Sequence, residues 1–219
     1  LSGALEFSEN ISSVGTQPII GTQILFKYKD FFGFIPLFAK NIEGYKNIID
    51  LSSKSYLENS EIAKPHCNFD ELLNKSSGII VFSGSIRCLI GSLYNKGLFH
   101  EIDDIVTKLS NKFKNDFYIE IQRHNDLNEQ EFENFNLNIS KKFNLPIIAT
   151  HEIYYLEKSM FEAHDALMCI GEKTYVNEVN RLKLSDQHFF KSSDEMIELF
   201  KDLPEALENN FNFPYRCSF

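Results

Sequence analysis

The chain has 219 residues with 43% apolar and 24% charged residues, within the range of soluble globular proteins and outside that of disordered, collagen-like or disulfide-dense chains. Its formal charge is −9, from 31 acids against 22 basic residues, so the chain lacks the basic balance with which a domain grips nucleic acid by its phosphates. No apolar run approaches membrane-spanning length, the opening LSGALEFSEN has no signal-peptide pattern, and four scattered cysteines (Cys67, Cys88, Cys169, Cys217) read as reduced, buried thiols. A cytoplasmic location is expected.

An opening helix leads into PIIGTQILF (18–26) and GFIPLF (33–38), two predicted strands. Ile42, Tyr45, Ile49 and Tyr56 then recur at helical spacing. A polar stretch from Ser52 to Ser77 holds Pro65 and a short NFDELLNK helix with Asn68 at its cap. GIIVFSG (78–84) is an apolar strand ending in a turn, followed by a helix to Asn95 with Gly97 as its stop. Ile102, Ile105, Leu109 and Phe113 stripe the next helix. DFYIEIQRH (116–124) reads as a strand with Phe117, Ile119 and Ile121 on one face and Tyr118, Glu120 and Gln122 on the other. Phe132, Phe135, Ile139 and Phe143 mark another helix, and LPIIAT (145–150) is a strand of the kind buried on both faces of a parallel sheet. Helices are expected at 159–170, 193–201 and 204–210, the last with Pro204 in its first turn. Without repeats or a flexible linker, residues 1–219 read as one domain. Alternating strands and helices predict an α/β fold with a parallel sheet.

Sites in α/β folds gather at the carboxyl ends of strands. Three such ends are polar here. Ser83-Gly84-Ser85 reads as a capping turn, with an anion nest as the sharper alternative. Glu120-x-Gln122-x-His124 converges if the strand stays extended, giving either a metal-binding set or a solvated polar strand end. In His151-Glu152-x-Tyr154, residues 152 and 154 share a face and His151 points away. Glu152 is a competent ligand for Zn or Mn, whereas a tyrosine with pKa about 10 is a poor one. His66, His100, His164 and His188 have no partner at ligand spacing, and helix surface or core packing is the default for each. No P-loop, dinucleotide fingerprint or serine elbow is present.

The segments GALEFSE (3–9), QPIIGTQI (17–24), LFAKNIEGYKNI (37–48), YIEIQRHN (118–125), LPIIATHEIYYLEKSMFEAHDALMCI (145–170) and MIELFKDLPEALENN (196–210) resemble, in order, the polymerase and histidinol phosphatase (PHP) domain of bacterial DNA polymerase III alpha subunits. The resemblance implies a distorted (β/α)7 barrel lacking its first strands, since the family's opening histidine motifs would precede Leu1. It implies that palm, fingers and thumb lie beyond Phe219, so that DNA binding and Mg-dependent nucleotidyl transfer belong to the parent chain and the fragment is inactive alone. Losing strands from such a barrel predicts an exposed apolar edge. It further implies a role in bracing the polymerase and carrying the proofreading exonuclease subunit, with no membrane partner.

Against the metal-binding members, Gln23 stands where a Glu follows P-I-I-G-x, Phe34 where a His precedes L-x-A-K-N, and Ser85 where a Cys or similar ligand follows Ser-Gly. Glu152-x-Tyr154 replaces Asp-x-His, and His124 alone matches. Gln23 loses charge, Phe34 cannot ligate, and Tyr154 would have to ionise. The expectation is therefore a degenerate site that holds no metal, with His124 and Glu152 as vestigial candidates; Zn or Mn would bind only if the site is alive. The alternative is a metal-dependent phosphoesterase or 3′–5′ exonuclease using those two residues. A free-standing histidinol phosphatase ranks lower, because LPEALENN and the G-Y-x-N helix resemble the polymerase branch.

Overall fold

The computed structural model describes residues 3–58 and 64–218. Leu1, Ser2, Phe219 and the 59–63 portion of the polar stretch lie outside the described residues. In chain order the elements are α1 (Ala4–Ser13), β1 (Gly21–Tyr28), β2 (Phe31–Ala39), α2 (Ile42–Leu57), β3 (Cys67–Asn68), α3 (Phe69–Asn74), β4 (Ile79–Phe82), α4 (Leu89–Asn95) and α5 (Phe99–Phe113). They continue with β5 (Phe117–Ile121), α6 (Glu129–Phe143), β6 (Ile147–Ala149), α7 (Phe161–Glu172), α8 (Ser193–Leu199) and α9 (Pro204–Asn212).

The strands form one six-stranded sheet in the order β3-β1-β2-β4-β5-β6. Its mixed character corrects the expectation of a parallel sheet. Only Lys29 and Asp30 separate β1 from β2, too few residues for a crossover, so the two strands close an antiparallel hairpin with Lys29 at φ 52°. β2 consequently runs against β4 as well, while β4, β5 and β6 are mutually parallel, joined through α4, α5 and α6. This is a mixed α/β architecture, with β3 and β6 as the end strands of the described sheet.

Helices cover one sheet face. Ile48 and Leu51 of α2, Ile102, Ile105 and Leu109 of α5, and Phe132 and Ile139 of α6 join Leu37, Val81, Phe117 and Ile119 in the main core. The other face holds a smaller cluster in which Phe82 and Tyr118 pack around Phe213, just after α9. Both faces of β5 are therefore buried, which corrects the reading of a half-polar strand. The strand also ends at Ile121, short of Gln122 and His124. α2 approaches the turn before β4 so closely that a Cβ on Gly44 would lie 1.7 Å from the Gly78 carbonyl oxygen, and Asn41 caps this helix by accepting the Gly44 N–H at 3.0 Å. The β6 edge is occupied by α9: Asn209 donates to the Ile147 carbonyl at 2.8 Å and Asn210 to that of Ala149 at 2.5 Å. Edge acceptors satisfied in this way are unavailable to a pairing strand, so the exposed edge expected from the sequence is covered at this end. Asn68 begins α3 in a capping box, its N–H donating to Glu71 at 2.7 Å. All four cysteines are buried, as expected. No helix among the described residues is long and apolar enough to cross a membrane.

Candidate functional site

The ends of β4, β5 and β6 converge as the polar segments of the sequence suggest. After β4, Gly84 adopts φ 84°, a conformation that favours glycine, and Ser83 turns its hydroxyl to accept the Glu120 N–H at 2.9 Å. Ser85 accepts the Arg87 N–H through its hydroxyl at 3.3 Å and the Cys88 N–H through its carbonyl at 2.9 Å. These bonds make the segment a tight turn in which Ser83 ties β4 to β5 and Ser85 closes the turn on itself.

Glu120, 7% exposed, and Gln122 do lie together, with Gln122 and Thr150 both donating to Glu120 Oε1. Glu120 Oε2 has no hydrogen-bond partner. Burial pushes the Glu120 carboxyl up to about 7, the nearby Glu152 charge adds to this, and the Thr150 and Gln122 bonds and the Gly84 amide pull it back only in part.

His124, 1% exposed, turns away from this pair. Its Nδ1 faces Glu129 Oε1 at 2.9 Å, its own N–H reaches Glu129 Oε2 at 2.5 Å, and its Nε2 accepts the Glu152 N–H at 3.0 Å. A backbone donor on Nε2 assigns the proton to Nδ1, so both ring nitrogens are committed to protein partners. The ring is sandwiched between His188, with centroids 4.1 Å apart and planes at 2°, and His151 at 4.4 Å. His151 points away from Glu152 and Tyr154, as expected, and bonds the Gln187 and Phe189 carbonyls through Nε2. Burial and the neighbouring His124 depress it to about 4, and its Nδ1 lacks a partner.

His188 takes the buried place expected by default and adds polar partners to it. It is fully buried, but within a polar network, with Nδ1 3.0 Å from the Glu152 carbonyl and Nε2 3.1 Å from Asp126 Oδ2. Asp126 also accepts Arg87 Nη1 at 2.6 Å and the Ser185 N–H at 3.0 Å. Burial opposes ionisation of Asp126, but the His188 and Arg87 bonds outweigh it and hold the carboxyl well below the usual range. The other guanidinium nitrogen, Arg87 Nη2, bonds Glu152. Arg87 thus bridges the carboxylates that follow β5 and β6.

Above this network lies a cleft of about 380 Å³. Gln23, Phe34, Ser85, Glu152 and Tyr154 all line it, so five positions from four separate segments meet at one place. Glu152 and Tyr154 share a face as predicted, whereas His124 lies beneath the wall rather than in it. His164, on α7 where a helix-surface place was expected, also lines the cleft, stacked on Tyr154 at 5.2 Å. Burial and the Glu152 charge raise the Tyr154 hydroxyl above its ordinary value. Among the described residues, no three His, Cys, Asp or Glu side chains are arranged to hold one metal ion. Sequence reasoning missed Arg87, Asp126 and His188. Asp126 lies only two residues from His124, but nothing in spacing links His188 to either.

The same regions carry the likeness to known proteins. Three proteins each called DNA polymerase III subunit alpha match the chain closely: those of Rickettsia bellii at 36% identity, Caulobacter vibrioides at 32% and Borreliella burgdorferi at 35%. The alignments cover 99–100% of this chain, which spans about a fifth of the length of each relative. The family model for the PHP domain matches residues 1–124, from α1 through β5 to the histidine at the centre of the stack. The chain belongs to the PHP domain family.

Proposed function

We propose that this chain is a single PHP domain of a replicative DNA polymerase III alpha subunit, that it serves as a structural module docking the proofreading exonuclease subunit, and that its hydrolytic metal site has been lost. The observation that carries this reading is Arg87, whose guanidinium bonds both Asp126 and Glu152. A permanent cation there supplies the countercharge that a divalent ion would otherwise bring and repels such an ion. The remaining donors argue the same way. His124 has no free nitrogen, Gln23 is neutral, Phe34 presents an apolar ring to the cleft, and Tyr154 resists ionisation. A multinuclear centre needs several anionic and imidazole donors with supporting contacts, and this set does not fit one. Polymerase activity, and the DNA and Mg it requires, belong in this reading to the rest of the parent chain.

The competing reading is a metal-dependent phosphoesterase or 3′–5′ exonuclease using His124 and Glu152. Metal analysis of the full-length protein, grown with Zn and Mn, separates the two. Under a tenth of an equivalent, with unchanged exonuclease binding in Glu152→Gln, is the expected result. Two or more equivalents, lost together with phosphatase activity in His124→Ala, would overturn it.

A further inference from the structure

Beside β6, α8 and α9 enclose a groove of about 450 Å³ whose floor includes Met196 and Leu207. Its walls carry Ile197, 56% exposed, and Phe211, 71% exposed. Adjacent large apolar side chains left in water at one groove mark an interaction surface.

The rim has a definite sign. From Asp194 to Glu208 there are six acids and one lysine. Glu198 pairs with Lys201, Asp202 is held by Arg123, and Glu195 caps α8 by accepting the Ser192 N–H. Asp194, Glu205 and Glu208 have no ion-pair partner among the described residues, and Glu208 forms part of the groove wall. Lys191, also in the wall, lies over the Phe189 ring at 3.5 Å and donates to Gln187 at 3.1 Å, both neutral partners, so it keeps its charge; with Lys201 and Arg123 it still leaves the six acids in excess. Nucleic acid, an anionic lipid surface and a second copy of this acidic rim would all be repelled.

We infer that the α8–α9 groove docks a basic amphipathic helix of a partner protein. Its apolar residues at helical spacing would pack on Met196, Leu207, Ile197 and Phe211, and its lysines or arginines would meet Glu205 and Glu208. The inference rests on the docking role proposed above and names the surface and the chemistry of the segment it receives.

The test uses the full chain, a fluorescein-labelled 18-residue peptide with leucines at helical spacing and lysines elsewhere, its scrambled counterpart, and the exonuclease subunit. Phe211→Asp removes an apolar wall, and Glu205→Lys with Glu208→Lys reverses the rim at exposed positions without touching the core. The expected result is anisotropy-detected binding of the ordered peptide only, weakened at least tenfold by either change, with exonuclease binding weakened in parallel. No binding of the ordered peptide, or equal binding to wild type and both variants, overturns the inference. Exonuclease bound equally by wild type and variants also overturns it while leaving the docking role intact. If the exonuclease fails to bind wild type while the peptide binds in a groove-dependent way, the docking role falls and the groove stands with another partner.

Discussion

The most informative perturbation is at Glu120, a carboxyl in a place where a charge is badly solvated. Oε1 accepts two side-chain donors, Oε2 has none, and the adjoining void measures only about 10 Å³. The carboxyl is pushed up to about 7 by burial, against an ordinary 4.5. Below about pH 4.5 both folded and unfolded chains hold the proton, and the fold keeps the full benefit of a neutral group. As pH rises from 4.5 to 7 the unfolded chain ionises and the folded chain resists, so stability falls throughout that window and the benefit is gone above 7. At about 1.4 kcal/mol per tenfold change in proton affinity, the loss is about 3 kcal/mol.

Glu120→Gln isolates this contribution. The amide keeps an acceptor for Thr150 and Gln122 and places a donor where the protonated acid has its hydroxyl, so variant and wild type should be nearly equal at about pH 4.5. By pH 8 the variant should be about 3 kcal/mol the more stable, read from urea midpoints at fixed ionic strength. The comparison has to be between proteins, not along one profile. His151, depressed to about 4, gains stability over much of the same window as pH rises and masks the slope of Glu120 in the wild type. A difference between Glu120→Gln and wild type that stays constant from about pH 4.5 to 8 would refute the account of Glu120.

Three further outcomes follow from the same contacts. His151 should remain neutral at pH 5.5 in a proton NMR titration, and His151→Gln should recover about 1–2 kcal/mol of the stability lost between pH 6.5 and 4, the figure being reduced for the partial exposure of the ring; an ordinary midpoint near 6.5 would contradict the stacked, half-buried geometry. Arg87→Met should cost about 3 kcal/mol, because it leaves Asp126 and Glu152 facing each other without their cation, and added Zn or Mn should recover part of that loss; thermal melts with and without metal check both statements. Gly44→Ala should cost about 3 kcal/mol or more in urea unfolding, since the new methyl meets a backbone carbonyl that cannot step aside.

The elements were legible in the sequence wherever one local pattern determined them. The α5 stripe, the capped α3, the Gly97 stop and the continuously apolar β6 all depend on neighbours within a few residues, and the structure contains each of them. Strand direction was less legible, because alternation of strands and helices suggests crossovers and the two-residue Lys29–Asp30 turn was outweighed by that pattern. The polar face assigned to β5 failed for a long-range reason: Phe213, almost a hundred residues downstream, comes back to cover Tyr118. Local alternation records a strand's own preference and carries nothing about which distant segment will shield it.

The site divides along the same line, and the division bears on what it does. Five of the positions drawn from the family resemblance meet in one cleft: Gln23 and Phe34 lie within the paired strands β1 and β2, and Ser85, Glu152 and Tyr154 follow the carboxyl ends of β4 and β6. The residues that set the cleft's charge were invisible as a group: Arg87 follows β4, Asp126 follows β5, and His188 arrives from beyond α7. Each looks ordinary in sequence, and only together do they form a neutralised, fully bonded core beneath Glu152. A hydrolytic centre leaves donor atoms unsatisfied until its ions arrive. Here both nitrogens of His124, both oxygens of Asp126 and two guanidinium nitrogens of Arg87 are already bonded to protein partners, among them the Glu129 and Glu152 carboxylates. Such saturation favours rigidity over turnover, the property that the proposed scaffold role requires.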